Sequence, residues 1–154
     1  MEQQKAPHFS LPDQTGKFRT LEEFIGKNII IYFYPKDMTP GCTTETLGFQ
    51  ELKKEFEKAN AIVLGVSKDS VASHQKFCDK HSLDIILLSD TETTMIQEYG
   101  VWQDKSMFGK KYKGISRESF LINEKGIVVK HWNKVKPISH PKEVLEFIKE
   151  KQKA

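Results

Sequence analysis

The sequence predicts an α/β fold in which helices flank a central mixed β-sheet. Three features indicate it: short apolar runs rich in β-branched and aromatic residues, amphipathic stretches that alternate with them, and two late apolar runs joined by a polar turn. The 154 residues suffice for one substantial core, and no linker or repeat divides them. We therefore expect a single domain over residues 1–154.

The N-terminal part predicts a short extended hairpin followed by the first buried strand. Residues 12–16 (Pro-Asp-Gln-Thr-Gly) are typical of a turn between two extended pieces. Thr20 is suited to cap a short helix that ends at Ile25. Residues 28–34 are nearly all β-branched or aromatic, which indicates a strand covered on both faces.

The middle of the chain continues this alternation of strands and helices. Residues 43–59 predict a helix, because their apolar residues recur at three- and four-residue steps. Residues 61–66 predict a second buried strand, and residues 70–81 a helix that Asp69 or Ser70 would cap.

The last third predicts a hairpin and a closing helix after one irregular region. We expect a strand over 85–88, a helix over 93–99 and then a long loop over 102–116. Hairpin strands should follow over 119–122 and 127–132. Pro141 should start a last helix that buries Val144, Leu145 and Ile148. A β–α–β unit followed by β–β–α is the order of a thioredoxin-like fold.

Composition argues against several classes of partner. The 24 Lys and Arg residues are interleaved with 21 Asp and Glu residues, so a nucleic-acid partner is not expected. No apolar run approaches a membrane span, and the N-terminus lacks the apolar core of a secretory signal. We therefore expect a cytoplasmic protein. Thiols stay reduced there, so its two cysteines should be catalytic, metal-binding or simply buried.

Cys42 is the strongest candidate for chemistry. It follows the 28–34 strand at the edge where open α/β sheets place ligands, and it opens the next helix, whose dipole favours a thiolate. A thiol with a pKa of ~8.5 is ~3% ionised at pH 7, so complete ionisation raises its reactivity at most ~30-fold. One donor at a developing oxyanion contributes ~100- to 1000-fold. Further groups are therefore needed: the Thr39 hydroxyl, a loop fixed by Pro35 and Pro40, and a distant cation.

Four sequence blocks resemble the peroxiredoxins, in particular their bacterioferritin-comigratory-protein or Q subfamily. Pro35-x-x-x-Thr39-x-x-Cys42 matches the peroxiredoxin active-site signature. The further blocks are Ala-Pro-x-Phe-x-Leu-Pro-Asp at 6–13, Lys-Ser-Met-Phe-Gly-Lys-Lys-Tyr at 105–112 and Gly-Ile-Ser-Arg-Glu-Ser-Phe-Leu-Ile at 114–122. Their order along the chain makes the resemblance specific.

The resemblance implies a role for each matched residue. Cys42 would be the peroxidatic cysteine, Thr39 would hydrogen-bond the peroxide and the thiolate, and Pro35 would shield the site. Arg117 would be the cation beside Cys42. Members of the family reduce hydrogen peroxide and organic hydroperoxides without a metal or prosthetic group, and thioredoxin usually recycles them.

The chain departs from the family at the second cysteine. Many members carry a resolving cysteine five residues after the first, where this chain has Leu47. The only other thiol is Cys78, and some members place their resolving cysteine on that helix. Cys78 would then form an intramolecular disulfide with the oxidised Cys42. Since bridged Cα atoms lie within about 7 Å, we expect the first turn of the 43–59 helix to unwind on oxidation.

Several alternatives stay open from the sequence. Cys78 is either the resolving residue or an inert core residue of a one-cysteine enzyme. A thiol–disulfide oxidoreductase is disfavoured because Glu45 stands where Cys-x-x-Cys requires a thiol, and a non-catalytic binding or chaperone module is a further reading. The absence of a long arm after the last helix favours a monomer.

Three groups of side chains have two interpretations each. Glu45 either orients Arg117 or merely suits a first helical turn. The face formed by His74, Cys78 and His81 permits a zinc site, although no fourth ligand is evident. The third group either lines a pocket for an alkyl peroxide or packs a long loop; it comprises Trp102, Met107, Phe108 and Tyr112.

Overall fold

The computed structural model describes residues 1–153, which form a five-stranded mixed sheet with helices on both faces and two small two-stranded sheets. The strands are β1 (Ser10–Pro12), β2 (Phe18–Thr20), β3 (Asn28–Phe33), β4 (Ala61–Ser67), β5 (Ile86–Ser89), β6 (Trp102–Met107), β7 (Lys110–Ile115), β8 (Glu118–Ile122) and β9 (Val128–Trp132). The helices are a 3₁₀ turn (Leu21–Phe24), α1 (Pro40–Glu51), α2 (Lys53–Lys58), α3 (Val71–His81), α4 (Thr94–Glu98) and α5 (His140–Lys153).

The main sheet has the strand order β5-β4-β3-β8-β9. β3, β4 and β5 are parallel, while β8 and β9 add antiparallel strands on the other side of β3. The predicted fold class is confirmed: this is a thioredoxin-like mixed sheet between helices.

Two hydrophobic cores explain why β3 carries an unbroken apolar run. Ile30 and Tyr32 point to the core shared with α1, α3 and α5, whereas Ile31 and Phe33 point to the core beneath α4 and the N-terminal segment. Because successive side chains of a strand face opposite sides, both faces of β3 must be apolar. The central position of this strand fixes the loop that follows it.

The helix after β3 differs from its predicted bounds. It begins at Pro40 rather than Thr43, because Thr39 adopts the extended N-cap conformation and proline fits the first helical position. It also divides at Leu52 into α1 and α2. Gly48 allows α5 to pack close to α1, since a Cβ there would lie 2.7 Å from Cγ of Pro141.

The prediction of a long loop over 102–116 was wrong. These residues form the hairpin of β6 and β7, in register from Trp102 opposite Ile115 to Met107 opposite Lys110. Phe108 and Gly109 form its turn with φ values of 52° and 78°, as type I′ hairpin turns require. The strands are largely exposed on both faces, so they lack the apolar alternation by which strands are recognised.

The remaining elements were predicted to within about two residues. Ser70 caps α3 by accepting the N–H of Ser73 at 3.1 Å, and Glu23 accepts the N–H of Thr20 at 3.1 Å where the 3₁₀ turn begins. Val144, Leu145 and Ile148 of α5 are buried as expected. Among the helices of residues 1–153, none is long and apolar enough to cross a membrane.

Candidate active site

Cys42 lies in the first turn of α1, directly beyond the carboxyl end of β3. Its side chain is 1% exposed, and Nη2 of Arg117 donates to its Sγ over 3.3 Å. The N–H groups of Gly41 and Cys42 precede the first intrahelical hydrogen bond, which Thr43 donates to Thr39. A guanidinium and the positive end of a helix therefore both face this sulfur.

Glu45 holds Arg117 against the thiol. Arg117 lies on the short link between β7 and β8, and its Nη1 donates to Oε1 of Glu45 over 2.8 Å. One arginine thus bridges two side chains of α1 that are a helical turn apart. Gly41 makes this approach possible, because a Cβ at that position would lie only 3.2 Å from Nη2 of Arg117.

The Glu45 carboxyl is completely buried, which is unusual for an acid. Because α1 begins at Pro40, Glu45 lies in its second turn and not in the first turn that the sequence suggested. Its Oε2 has no hydrogen-bond partner among residues 1–153. Burial raises the pKa of Glu45 to about 7, although Arg117 opposes the rise. Of the two interpretations from sequence, the contact with Arg117 is the one observed.

Thr39 and Pro35 border the same loop, whose residues 34–39 we call the site loop. The hydroxyl of Thr39 donates to the carbonyl of Lys36 over 2.8 Å, so its proton is directed into the loop and not to Cys42. An oxygen lone pair remains free to accept. Pro35 is partly buried directly after Tyr34, at the base of the loop.

Lys105 of β6 provides a second cation near the site. Its Nζ donates to the carbonyl of Ile115 over 2.6 Å, two residues before Arg117, and its stem passes over Gly114. Burial and Arg117 lower the pKa of Lys105, while Cys42 raises it. The sequence drew attention to Lys105 only as part of a matched block.

Cys78 occupies a very different position, near the end of α3. Both cysteines are reduced and buried. Burial raises the pKa of the Cys78 thiol to about 11, and Asp37 adds to the rise, followed by smaller contributions from three other aspartates. In this conformation Cys78 is a poor nucleophile.

The proposed zinc face does not form. Both ring nitrogens of His74 are engaged, Nδ1 with Oδ2 of Asp37 at 2.6 Å and Nε2 with the carbonyl of Leu88 at 3.0 Å. The ring of His81 instead packs edge-on against Phe77. His74 belongs to a cluster with Asp37 and Asp69, which sequence spacing could not reveal.

The four side chains expected to line a pocket or pack a loop lie in different surroundings. Trp102 is partly buried against the second core. The others are exposed on the β6–β7 hairpin, with Phe108 97% exposed at its turn. The hairpin therefore gathers apolar side chains on its surface and not around a cavity.

Comparisons with known proteins agree with this geometry. The AhpC/TSA family model matches residues 3–131. The chain is 51% identical to a bcp peroxiredoxin of Coxiella burnetii, over 92% of this chain and 94% of that protein. It is 44% identical to peroxiredoxin Bcp of Bacillus subtilis, over 96% and 94%.

Solved structures show the same relationship. The bacterioferritin comigratory protein of Xanthomonas campestris, studied for alkyl peroxide reduction, superposes with a TM-score of 0.89 at 43% identity, over 93% of this chain and 91% of that one. The PrxQ of Xylella fastidiosa gives 0.91 at 34%, over 99% of each. Serine variants of the X. campestris peroxiredoxin Q have been solved at two cysteines spaced along the chain as Cys42 and Cys78 are.

The matches extend over nearly the whole chain, and the range of the family model covers the loop, the helix and the arginine that surround Cys42. The chain therefore belongs to the AhpC/TSA family, in its bacterioferritin-comigratory-protein or peroxiredoxin Q branch, and is a thiol-dependent peroxidase.

Proposed function

We propose that Cys42 is the peroxidatic cysteine and that Arg117 is its catalytic cation. The observation that carries the proposal is the 3.3 Å contact between Nη2 of Arg117 and Sγ of Cys42, fixed by the buried Glu45. The thiolate attacks the terminal oxygen of a hydroperoxide. An S–O bond forms as the O–O bond breaks, leaving a sulfenic acid on Cys42 and an alkoxide that takes a proton to become the alcohol.

Arg117 stabilises the charge that moves in this step. Negative charge leaves the sulfur and develops on the departing oxygen, and a guanidinium presents several donors in one plane to both atoms. Thr39 is proposed to orient the peroxide through its hydroxyl oxygen, and Pro35 to shield the loop from water. No metal or prosthetic group is required, because the thiol supplies both electrons.

Cys78 is proposed as the resolving cysteine. Its sulfur attacks the Cys42 sulfenic acid, an S–S bond forms, and the hydroxyl leaves as water. Both thiols are free in this structure and lie on separate helices, and we expect the first turn of α1 to unwind when they join. The matching spacing of two cysteines in a relative supports this assignment.

The wider proposal follows the family. We infer that residues 1–154 act as a single-domain, monomeric enzyme of the cytoplasm, that the substrates are hydrogen peroxide and organic hydroperoxides, and that thioredoxin reduces the disulfide. A cycle that starts from a free Cys42 thiol suits a reducing compartment. The alkyl peroxide activity studied in the X. campestris protein supports the organic substrates.

Intact mass tests the two-cysteine cycle. Fully reduced protein receives one equivalent of hydrogen peroxide without reductant, and Cys42→Ser and Cys78→Ser are treated in parallel. We expect the parent monomer to lose about 2 mass units, and neither variant to do so. Crystal structures of the reduced and oxidised forms should differ in the first turn of α1.

Any other change in intact mass would alter the roles assigned to the two cysteines. A gain of about 16 or 32 units confined to Cys42 would make Cys78 structural, and an external thiol would then resolve the sulfenic acid. An unchanged parent mass would contradict the assignment of Cys42.

A further inference from the structure

The Asp37 carboxylate joins the site loop to α3. It accepts the hydroxyl of Tyr34 at 2.6 Å and the hydroxyl of Ser73 at 2.8 Å, and Nδ1 of His74 lies 2.6 Å from it. Asp37 and His74 are 4% and 0% exposed. Nε2 of His74 donates to the carbonyl of Leu88 over 3.0 Å, so both ring nitrogens have polar partners.

The backbone of the site loop depends on these contacts. Met38, the residue after Asp37, has a φ of +66°, a left-handed conformation that is unfavourable for a residue with a side chain. The N–H of Asp37 donates to Asp69 over 2.9 Å, so the loop is tied to the start of α3 by main chain as well as side chain. A strained loop that leads directly into Cys42 is held in place from α3.

The same helix carries Cys78 one turn beyond His74. The site loop leads directly into the first turn of α1, the turn expected to unwind when Cys42 joins Cys78. We expect that movement to draw the loop away from α3 and to separate Asp37 from His74. Asp37 also acts on the thiol itself: after burial, it is the largest cause of the raised pKa of Cys78.

We propose that Asp37 and His74 form a positioning pair that holds the site loop in its peroxide-reactive conformation. The pair thereby limits the rate at which Cys78 attacks the Cys42 sulfenic acid to form the disulfide. This inference rests on the proposed role of Cys78. While the pair is intact, the sulfenic acid persists and a second peroxide can convert it to sulfinic acid. When the pair opens, Cys78 attacks and the sulfenic acid is consumed as disulfide and water.

The test measures the two steps separately by rapid acid quench and intact mass. The parent is compared with Asp37→Asn, which keeps the shape of the side chain but removes its charge, and with Ser73→Ala, which deletes one donor. Asp90→Asn is the control, because that buried carboxylate caps α4 through the N–H of Ile96 and does not hydrogen-bond the site loop.

Asp37→Asn is expected to accelerate disulfide formation about 10-fold, as the loss of one charged hydrogen bond allows. The fraction of sulfinic acid should fall, while formation of the sulfenic acid does not accelerate. Ser73→Ala should also accelerate disulfide formation and lower the fraction of sulfinic acid, each by about 2- to 3-fold, because Asp37 keeps its contacts with Tyr34 and His74. Asp90→Asn should shift neither.

The contrary outcomes separate the two proposals. If the parent forms its disulfide but Asp37→Asn and Ser73→Ala slow that step or leave it unchanged, the pair is merely structural and this inference fails alone. If the parent forms no disulfide, the role of Cys78 and this inference fail together. Should Asp37→Asn not fold, Ser73→Ala decides.

Discussion

The two cysteines share one core but lie in opposite electrostatic environments. Cys42 stands in the first turn of a helix with the Arg117 guanidinium against its sulfur. Cys78 stands near the end of a helix, where burial and surrounding aspartates raise its pKa to about 11. Both side chains are nearly inaccessible, at 1% and 7% exposure, so exposure does not distinguish them.

We propose that this difference in charge sets the order in which the two cysteines react. A cation and a helix N-terminus stabilise a thiolate, whereas apolar surroundings and carboxylates suppress one. On the proposed roles, Cys42 attacks first, and Cys78 reacts only when its surroundings change. Two substitutions and one alkylation experiment test this contrast between the cysteines.

Arg117→Met should have the largest effect, because it removes the cation that distinguishes the surroundings of Cys42 from those of Cys78. We expect the second-order rate with hydrogen peroxide to fall about 100- to 1000-fold, the value of one well-placed donor at a developing charge. Competition with a peroxidase of known rate measures it. Arg19→Met is the matched control, since Arg19 pairs with Asp13 and Glu23 in the N-terminal hairpin. A decrease below about 5-fold would show that helix and loop alone activate the thiol.

Alkylation of Cys78 measures the other side of the contrast. With a pKa of about 11, its thiolate fraction at pH 8 is about 200-fold smaller than that of an ordinary thiol. In Cys42→Ser, we therefore expect iodoacetamide to modify native Cys78 at least about 100-fold more slowly than the same chain in guanidinium. Equal rates would mean that Cys78 is already available in the reduced fold.

The sequence predicted the elements that depend on local pattern. The run over residues 28–34 required burial on both faces, and the two cores beside β3 supply it. The family resemblance predicted that Arg117 lies beside Cys42 although the two are far apart in sequence. In the structure, Nη2 of Arg117 lies 3.3 Å from Sγ of Cys42. The exposed β6–β7 hairpin was missed because neither of its strands buries an apolar face.

The supporting residues of the site could not be found in this way. Asp37 and His74 are far apart in sequence, and each resembles an ordinary polar residue at a loop or a helix start. Gly41 gave a weak signal, a glycine between Pro40 and Cys42, but the reason for it is the guanidinium that a Cβ would crowd. These roles depend on tertiary approach, which no local period encodes.

Glu45→Gln should give the smallest effect, and one that depends on pH. The folded state raises the pKa of Glu45 from 4.5 to about 7, so it binds this proton more tightly than the unfolded chain does. The stabilisation that this proton provides is fully present below pH 4.5 and is lost as the pH rises to about 7. The shift sets an upper limit of about 3 kcal/mol, and relaxation around the carboxyl should reduce it to about 2 kcal/mol.

Glutamine keeps the shape and a carbonyl acceptor for Arg117 but never ionises. Urea unfolding should therefore give nearly equal free energies for the two proteins at pH 5, and a variant about 2 kcal/mol more stable at pH 8. Glu51→Gln, on an exposed position of α1, is the control. A difference that does not change with pH would mean that Arg117 fully compensates the buried carboxylate. A difference that grows with pH would show that the enzyme gives up stability to keep a carboxylate against Arg117. Among residues 1–153, no such pair of arginine and buried acid stands beside Cys78.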